Sequence, residues 1–152
     1  MTTTVSLLED ARRRLVGAPR ERLGMLRTPR WRKERIVQAG DAWHLGVLLL
    51  TDDGVLATGE ILRASEEVRR GYTAIASRAR AERRAAAFRG GFAEGEVVHL
   101  DWQELDAAAV DAGAASGPLL LHGGEPAVLW SHTGVPVPLA GYLDEKIALL
   151  RG

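Results

Sequence analysis

Trp43-His44-Leu45-Gly46-Val47-Leu48-Leu49-Leu50 is the stretch whose reading decides the fold. It is apolar at almost every position, so it reads as a strand covered on both faces, central in a sheet rather than at an edge. On its N-terminal side, residues 30–38 alternate charged and apolar side chains, as a half-buried strand does. On its C-terminal side, Val55 to Leu62 is again rich in β-favouring residues. The linkers Ala39-Gly40 and Asp52-Asp53-Gly54 are both short enough for hairpins. The expectation is therefore an N-terminal three-stranded antiparallel meander.

Helices flank it. Ser6-Leu7-Leu8-Glu9 fits a capping box opening a helix from Leu7 to Val16, with Gly17 at its end. Pro19 suits the first turn of a second, short helix ending before Thr28-Pro29. Residues 64–76 fit either a helix capped by Ser65 or, from Tyr72 to Ala76, a strand. Arg78 to Arg89 reads as helix, stopped by Gly90-Gly91. Glu96 to Trp102 reads as strand, Glu104 to Ala112 as a short helix, and Gly123-Gly124 as the turn of a C-terminal hairpin. Leu139, Leu143, Ile147 and Leu150 form one stripe of a closing helix. The chain is expected to be a single α+β domain over residues 1–152, with an antiparallel sheet of five to seven strands covered by its N- and C-terminal helices.

Charge is sorted along the chain while cancelling in sum. Residues 1–40 carry ten Lys/Arg against four Asp/Glu, and 63–89 carry eight against three. Residues 41–62 carry none against four, and 90–152 two against nine. Such a chain can pair its own ends, or present one basic and one acidic face to a second copy or another protein partner. Neutrality overall weighs against a dedicated nucleic-acid binder, which would be strongly basic. Arg outnumbers Lys eighteen to two, which resembles coding in a GC-rich genome. Without cysteine there is no disulfide, no thiolate zinc site and no thiol nucleophile. The longest apolar run, Leu45 to Leu50, is far short of the ~20 residues that span a bilayer, and Met1 to Gly17 lacks a signal peptide's apolar core. A soluble cytoplasmic protein without membrane association is the expectation.

Strand parity supplies one candidate site. With the hairpins above, Lys33 and Arg35 share a face with His44, Gly46 and Glu60. Gly46 leaves an empty position among them, where a small anionic ligand could sit while His44 and Glu60 move a proton. The competing reading is an exposed face laced with weak ion pairs. His99 and Asp101 at i,i+2 resemble two metal ligands, but no third is compelled by spacing, and a solvated strand face is the simpler account. No metal or cofactor is implied. His122-Gly123-Gly124-Glu125 lacks the Gly-x-Ser-x-Gly partner of an esterase oxyanion loop, and Phe88-Arg89-Gly90-Gly91-Phe92 reads more simply as a helix end than as an RNA-binding element. The tryptophans, Trp31, Trp43, Trp102 and Trp130, each in or beside an expected strand, read as core; any that proved exposed would suit anchoring a partner.

The Trp43–Leu50 stretch, together with Ala85-Ala86-Ala87-Phe88-Arg89-Gly90-Gly91-Phe92 and Gly95-Glu96-Val97-Val98, resembles a family of small uncharacterised proteins from GC-rich bacteria, some of which carry a glutaminase label. That resemblance implies amide hydrolysis. Serine-type glutaminases need Ser-x-x-Lys, yet neither Lys33 nor Lys146 has a serine three residues before it, and the cysteine type needs a thiol. The sequence thus yields two functional expectations: a non-enzymatic binding or interaction module that self-associates, and a small amide hydrolase built on Lys33, Arg35, His44 and Glu60.

Overall fold

The computed structural model describes residues 2–66, 75–132 and 134–152. It is a mixed α+β fold. In chain order, α1 (Thr4–Leu15) is followed by strands β1 (Glu21–Arg27), β2 (Arg35–Leu45), β3 (Leu48–Leu50), β4 (Val55–Ala57) and β5 (Glu60–Arg63). Then come α2 (Ile75–Arg89), β6 (Val97–Leu100), β7 (Gln103–Glu104), α3 (Ala107–Asp111), β8 (Leu119–His122), β9 (Glu125–Val128), β10 (Val137–Pro138) and α4 (Leu139–Arg151).

The chain forms two compact units. The first comprises Met1–Arg20, Ala42–Thr58 and Trp102–Gly152; the second comprises Glu21–Asp41 and Gly59–Asp101. In the first, the end of β2 pairs antiparallel with β3, β3 with β4, and β4 with β7. A separate three-stranded antiparallel sheet runs β10-β9-β8. Leu8, Leu15, Leu45, Leu48, Leu50, Leu119, Leu139 and Leu143 are all nearly or fully buried in one cluster. Fully burying a leucine contributes about 1.5–3 kcal/mol, so this cluster dominates the unit's stability. In the second unit, β5 pairs antiparallel with β6, and β6 pairs parallel with β1 in the register Arg22↔Val98 and Leu23↔His99. Ile36, Leu62, Ala86, Ala87, Phe92 and Val98 form its core. The small Ala85-Ala86-Ala87 face lets α2 approach the strands closely, and Phe92 fills the space beyond the helix end.

The C-terminal hairpin at Gly123-Gly124 and the terminal helices are present. So is a three-stranded antiparallel meander, but it is built of β2, β3 and β4, with Trp43 to Leu50 split by a turn at Gly46-Val47 instead of forming one central strand. Several local details differ from the sequence expectations. Residues 21–27 are a strand, not a helix, and their pairing with β6 makes the sheet mixed rather than wholly antiparallel. Val55 to Leu62 is two strands, broken at Thr58-Gly59, where a Cβ on Gly59 would strike the Leu100 and Asp101 carbonyls. The box that opens α1 is one turn earlier: Thr3 Oγ1 accepts from the Ser6 amide at 3.0 Å, and Ser6 Oγ accepts from the Thr3 amide at 2.9 Å. The choice between helix and strand at 64–76 falls largely on 67–74, outside the described residues.

Asp111, the last residue of α3, also caps α1. Its carboxylate accepts from the Thr4 and Val5 amides at 2.7 and 3.1 Å, taking two of the donors a helix start leaves unpaired. Burial opposes the charged form, but those amide bonds outweigh it and hold Asp111 below its ordinary carboxylate value. A depressed folded-state value contributes stability above the unfolded pKa of about 4 and loses it as pH falls through the folded value. Asp111→Asn is therefore expected to cost about 1 kcal/mol at neutral pH and to flatten the acid side of a stability-versus-pH curve. Parallel acid limbs for the two proteins would contradict this coupling.

Candidate functional site

The five candidate residues occupy different settings from those the strand parity implied. Ala39 and Gly40 lie within β2, which continues to Leu45, and the hairpin turn is Gly46-Val47. Gly46, at φ +64°, is thus a turn residue and not a gap in a central strand. Residues 30–34 are loop, so Lys33 lies outside any strand, while Arg35 opens β2 and Glu60 opens β5. Glu60 is bound by Arg83 of α2, whose guanidinium also reaches Asp101 at 3.2 Å. Lys33 and Arg35 form no ion pair among the described residues. The structure does bring His44 and Gly46 together: His44 Nε2 lies 2.9 Å from the Gly46 carbonyl oxygen.

The space above Gly46 is taken by Tyr142. The Tyr142 hydroxyl donates to the Leu45 carbonyl at 2.9 Å and accepts from the Val47 amide at 2.8 Å, which clamps both sides of the turn. Burial pushes this hydroxyl above its ordinary pKa, so it works as a neutral hydrogen-bonding group. Around it lies a groove of about 560 Å³ lined by Trp130, Val137, Pro138 and Lys146, among others. The Lys146 ammonium sits 5.4 Å from the Tyr142 ring centroid. Among the described residues no Ser, Thr, Cys or His lines this groove; its polar side chains are Tyr142, Glu145 and Lys146.

His99 corrects another expectation. Rather than lying on a solvated face, it is fully buried, with Nε2 2.8 Å from a Glu21 carboxylate oxygen. Burying an imidazole requires such a polar partner. Glu21 can supply it because β1 lies beside β6. Asp101, just past β6, turns instead to Arg83. Gly90-Gly91 terminates α2: the Gly90 amide bonds the Ala86 carbonyl and the Phe92 amide bonds the Ala87 carbonyl. Arg89 donates twice to the Glu34 carbonyl, and Arg84 donates to the Arg63 carbonyl. These two arginines of α2 are therefore committed within their own unit.

A cluster of cations that form no ion pair among the described residues lies elsewhere. The β1–β2 connection, Thr28 to Glu34, carries Trp31 at 87% exposure, with the Arg30 guanidinium 5.6 Å from its ring centroid. Arg27, Arg30, Arg32 and Lys33 around it are exposed and form no ion pair among the described residues. Met25 and Leu26 beside them are also exposed, at 41% and 47%. Reading residues 30–38 as a strand hid this loop, although Thr28-Pro29 signals a break in the chain. Of the other tryptophans, Trp43 is buried, with Arg20 stacked 3.8 Å over its ring, and Trp130 is 55% exposed.

A second groove, of about 530 Å³, lies in the first unit. Val5 and Leu105 contribute apolar surface, and Glu9, Asp53, Glu104 and Asp106 contribute carboxylates. Arg12 also lines it, but donates to the Thr51 and Gly54 carbonyls, both at 2.9 Å. Asp106 caps α3 through the Ala109 amide, whereas Glu9 and Glu104 form no ion pair among the described residues. No protein-family model matches the chain, and neither curated proteins nor solved structures give a match to it.

Proposed function

We propose that this chain is a non-catalytic interaction module that self-associates through the β1–β2 loop. The observation that carries the reading is the exposed Trp31 set among four cations that form no ion pair among the described residues. An exposed tryptophan beside arginines is the composition of an interaction anchor, since Trp buries a large rigid area and Arg forms directional, charge-assisted contacts. A second copy supplies the complementary charge. Fourteen Lys/Arg face ten Asp/Glu in the unit that holds the loop, against six and ten in the other unit. Each copy therefore offers a surplus of both signs, which favours like chains meeting head to tail over a neutral partner. Amide hydrolysis, the reading implied by the family resemblance, has less support: Glu60 is committed to Arg83, and Tyr142 fills the position over Gly46.

Arg30→Glu/Arg32→Glu tests the reading in sedimentation velocity at low salt. Both residues are exposed and outside regular structure, so the fold tolerates the change. The double variant is expected to sediment as monomer where the wild type associates, and His44→Ala to associate like wild type. Undiminished association of the double variant would remove the loop from the account.

A further inference from the structure

We infer that the loop of one copy docks in the carboxylate-rimmed groove of the next, Trp31 against the apolar surface of Val5 and Leu105 and its flanking cations against Glu9 and Glu104. This rests on the self-association reading and names the surface that receives the loop. The two features match in three independent respects. The groove, about 530 Å³, falls within the about 300–1,000 Å³ range of sites that enclose a compact ligand group, and one indole is such a group. Its rim is acidic where the loop is basic. The charges on each side are also spare: Glu9 and Glu104 have no ion-pair partner among the described residues, and neither do Arg27, Arg30, Arg32 and Lys33. Arg12 does not cancel the rim, because its guanidinium is held by two backbone carbonyls at the β3–β4 turn.

Where two copies engage reciprocally, each loop in the other's groove, they close into a dimer; where they engage one way only, a free loop and a free groove remain and association continues into rings or open chains. A single tryptophan and its flanking cations make a small interface, so the contact is weak and strongly screened by salt.

Complementary variants test this. One carries Arg30→Glu/Arg32→Glu and retains the groove; the other carries Glu9→Gln/Glu104→Gln, which leaves nothing to attract the reversed loop, and retains the wild-type loop. All four positions are exposed, and circular dichroism and thermal unfolding check that both variants fold. In sedimentation velocity at low salt, each variant alone is expected to be monomeric. Their equimolar mixture is expected to form a dimer and nothing larger, because only one intact loop and one intact groove remain per pair. A groove variant that still self-associates, beside a loop variant that does not, would overturn the groove as receptor and leave the loop reading standing. A loop variant that still self-associates would overturn both. Two monomeric variants whose mixture also stays monomeric would overturn the inference, since the intact halves would then fail to recognise each other.

Discussion

Replacing Gly90 with alanine is expected to destabilise the protein by about 3 kcal/mol or more, enough to remove much of a typical domain's stability. Gly90 sits where α2 ends, and its backbone lies directly against β2. A Cβ there would overlap the carbonyl oxygen and carbon of Ile36, atoms that belong to the backbone of a fully buried strand residue. Flexible side chains relieve such a clash by rotating, but a strand can do so only by moving away from the helix. Movement of β2 would open the core formed by Ile36, Ala86, Ala87 and Phe92. Gly141 is the control, because a Cβ there meets nothing within 4 Å and the residue lies in exposed helix. Gly141→Ala is expected to be neutral or to stabilise by up to about 1 kcal/mol. Urea unfolding of both variants measures the contrast, and equal midpoints would show that the α2–β2 approach is looser than described.

Gly46→Ala is expected to cost about 3 kcal/mol through two separable effects. A positive φ of 64° disfavours any side chain by about 1–2 kcal/mol. The added methyl would also strike the Tyr142 hydroxyl, which cannot leave without breaking its bonds to Leu45 and Val47. Losing a buried hydrogen bond in this way costs about 1–3 kcal/mol. The second effect depends on the hydroxyl oxygen, so the cost of Gly46→Ala is expected to be smaller in a Tyr142→Phe background. A double-mutant cycle reads that coupling. Strictly additive costs would mean that Tyr142 does not hold the turn.

How far the sequence could be read depended on whether its signals were local. α4 announced itself through Leu139, Leu143 and Ile147 on one stripe, and the β8–β9 hairpin through Gly123-Gly124. α2 ended at Gly90-Gly91 as its glycines indicated. The β2–β3 register was not legible, because two glycine-containing pairs, Ala39-Gly40 and Gly46-Val47, could each turn the chain. Choosing the first put Lys33 and Arg35 opposite the central strand; the structure uses the second, and that opposition disappears. β1 had no local signature either. Its partner strand β6 lies far along the sequence, and a parallel pairing needs no turn that a reader could find. Missing β1 also concealed His99, whose burial depends on Glu21 from that strand. The exposed Trp31 is hidden in the sequence for the same reason as the register: residues 30–38 resemble a strand, whereas the chain is loop up to Arg35.

Sedimentation velocity of the wild-type chain across a salt series tests self-association through the charged loop most directly. Unpaired surface cations meeting carboxylates are screened over about 10 Å at 0.1 M salt and about 3 Å at 1 M. Species larger than monomer are expected at low salt and high protein concentration, dispersing to monomer as salt rises. Association that persists unchanged at 1 M salt, or a monomer at every concentration in low salt, would contradict self-association through the charged loop.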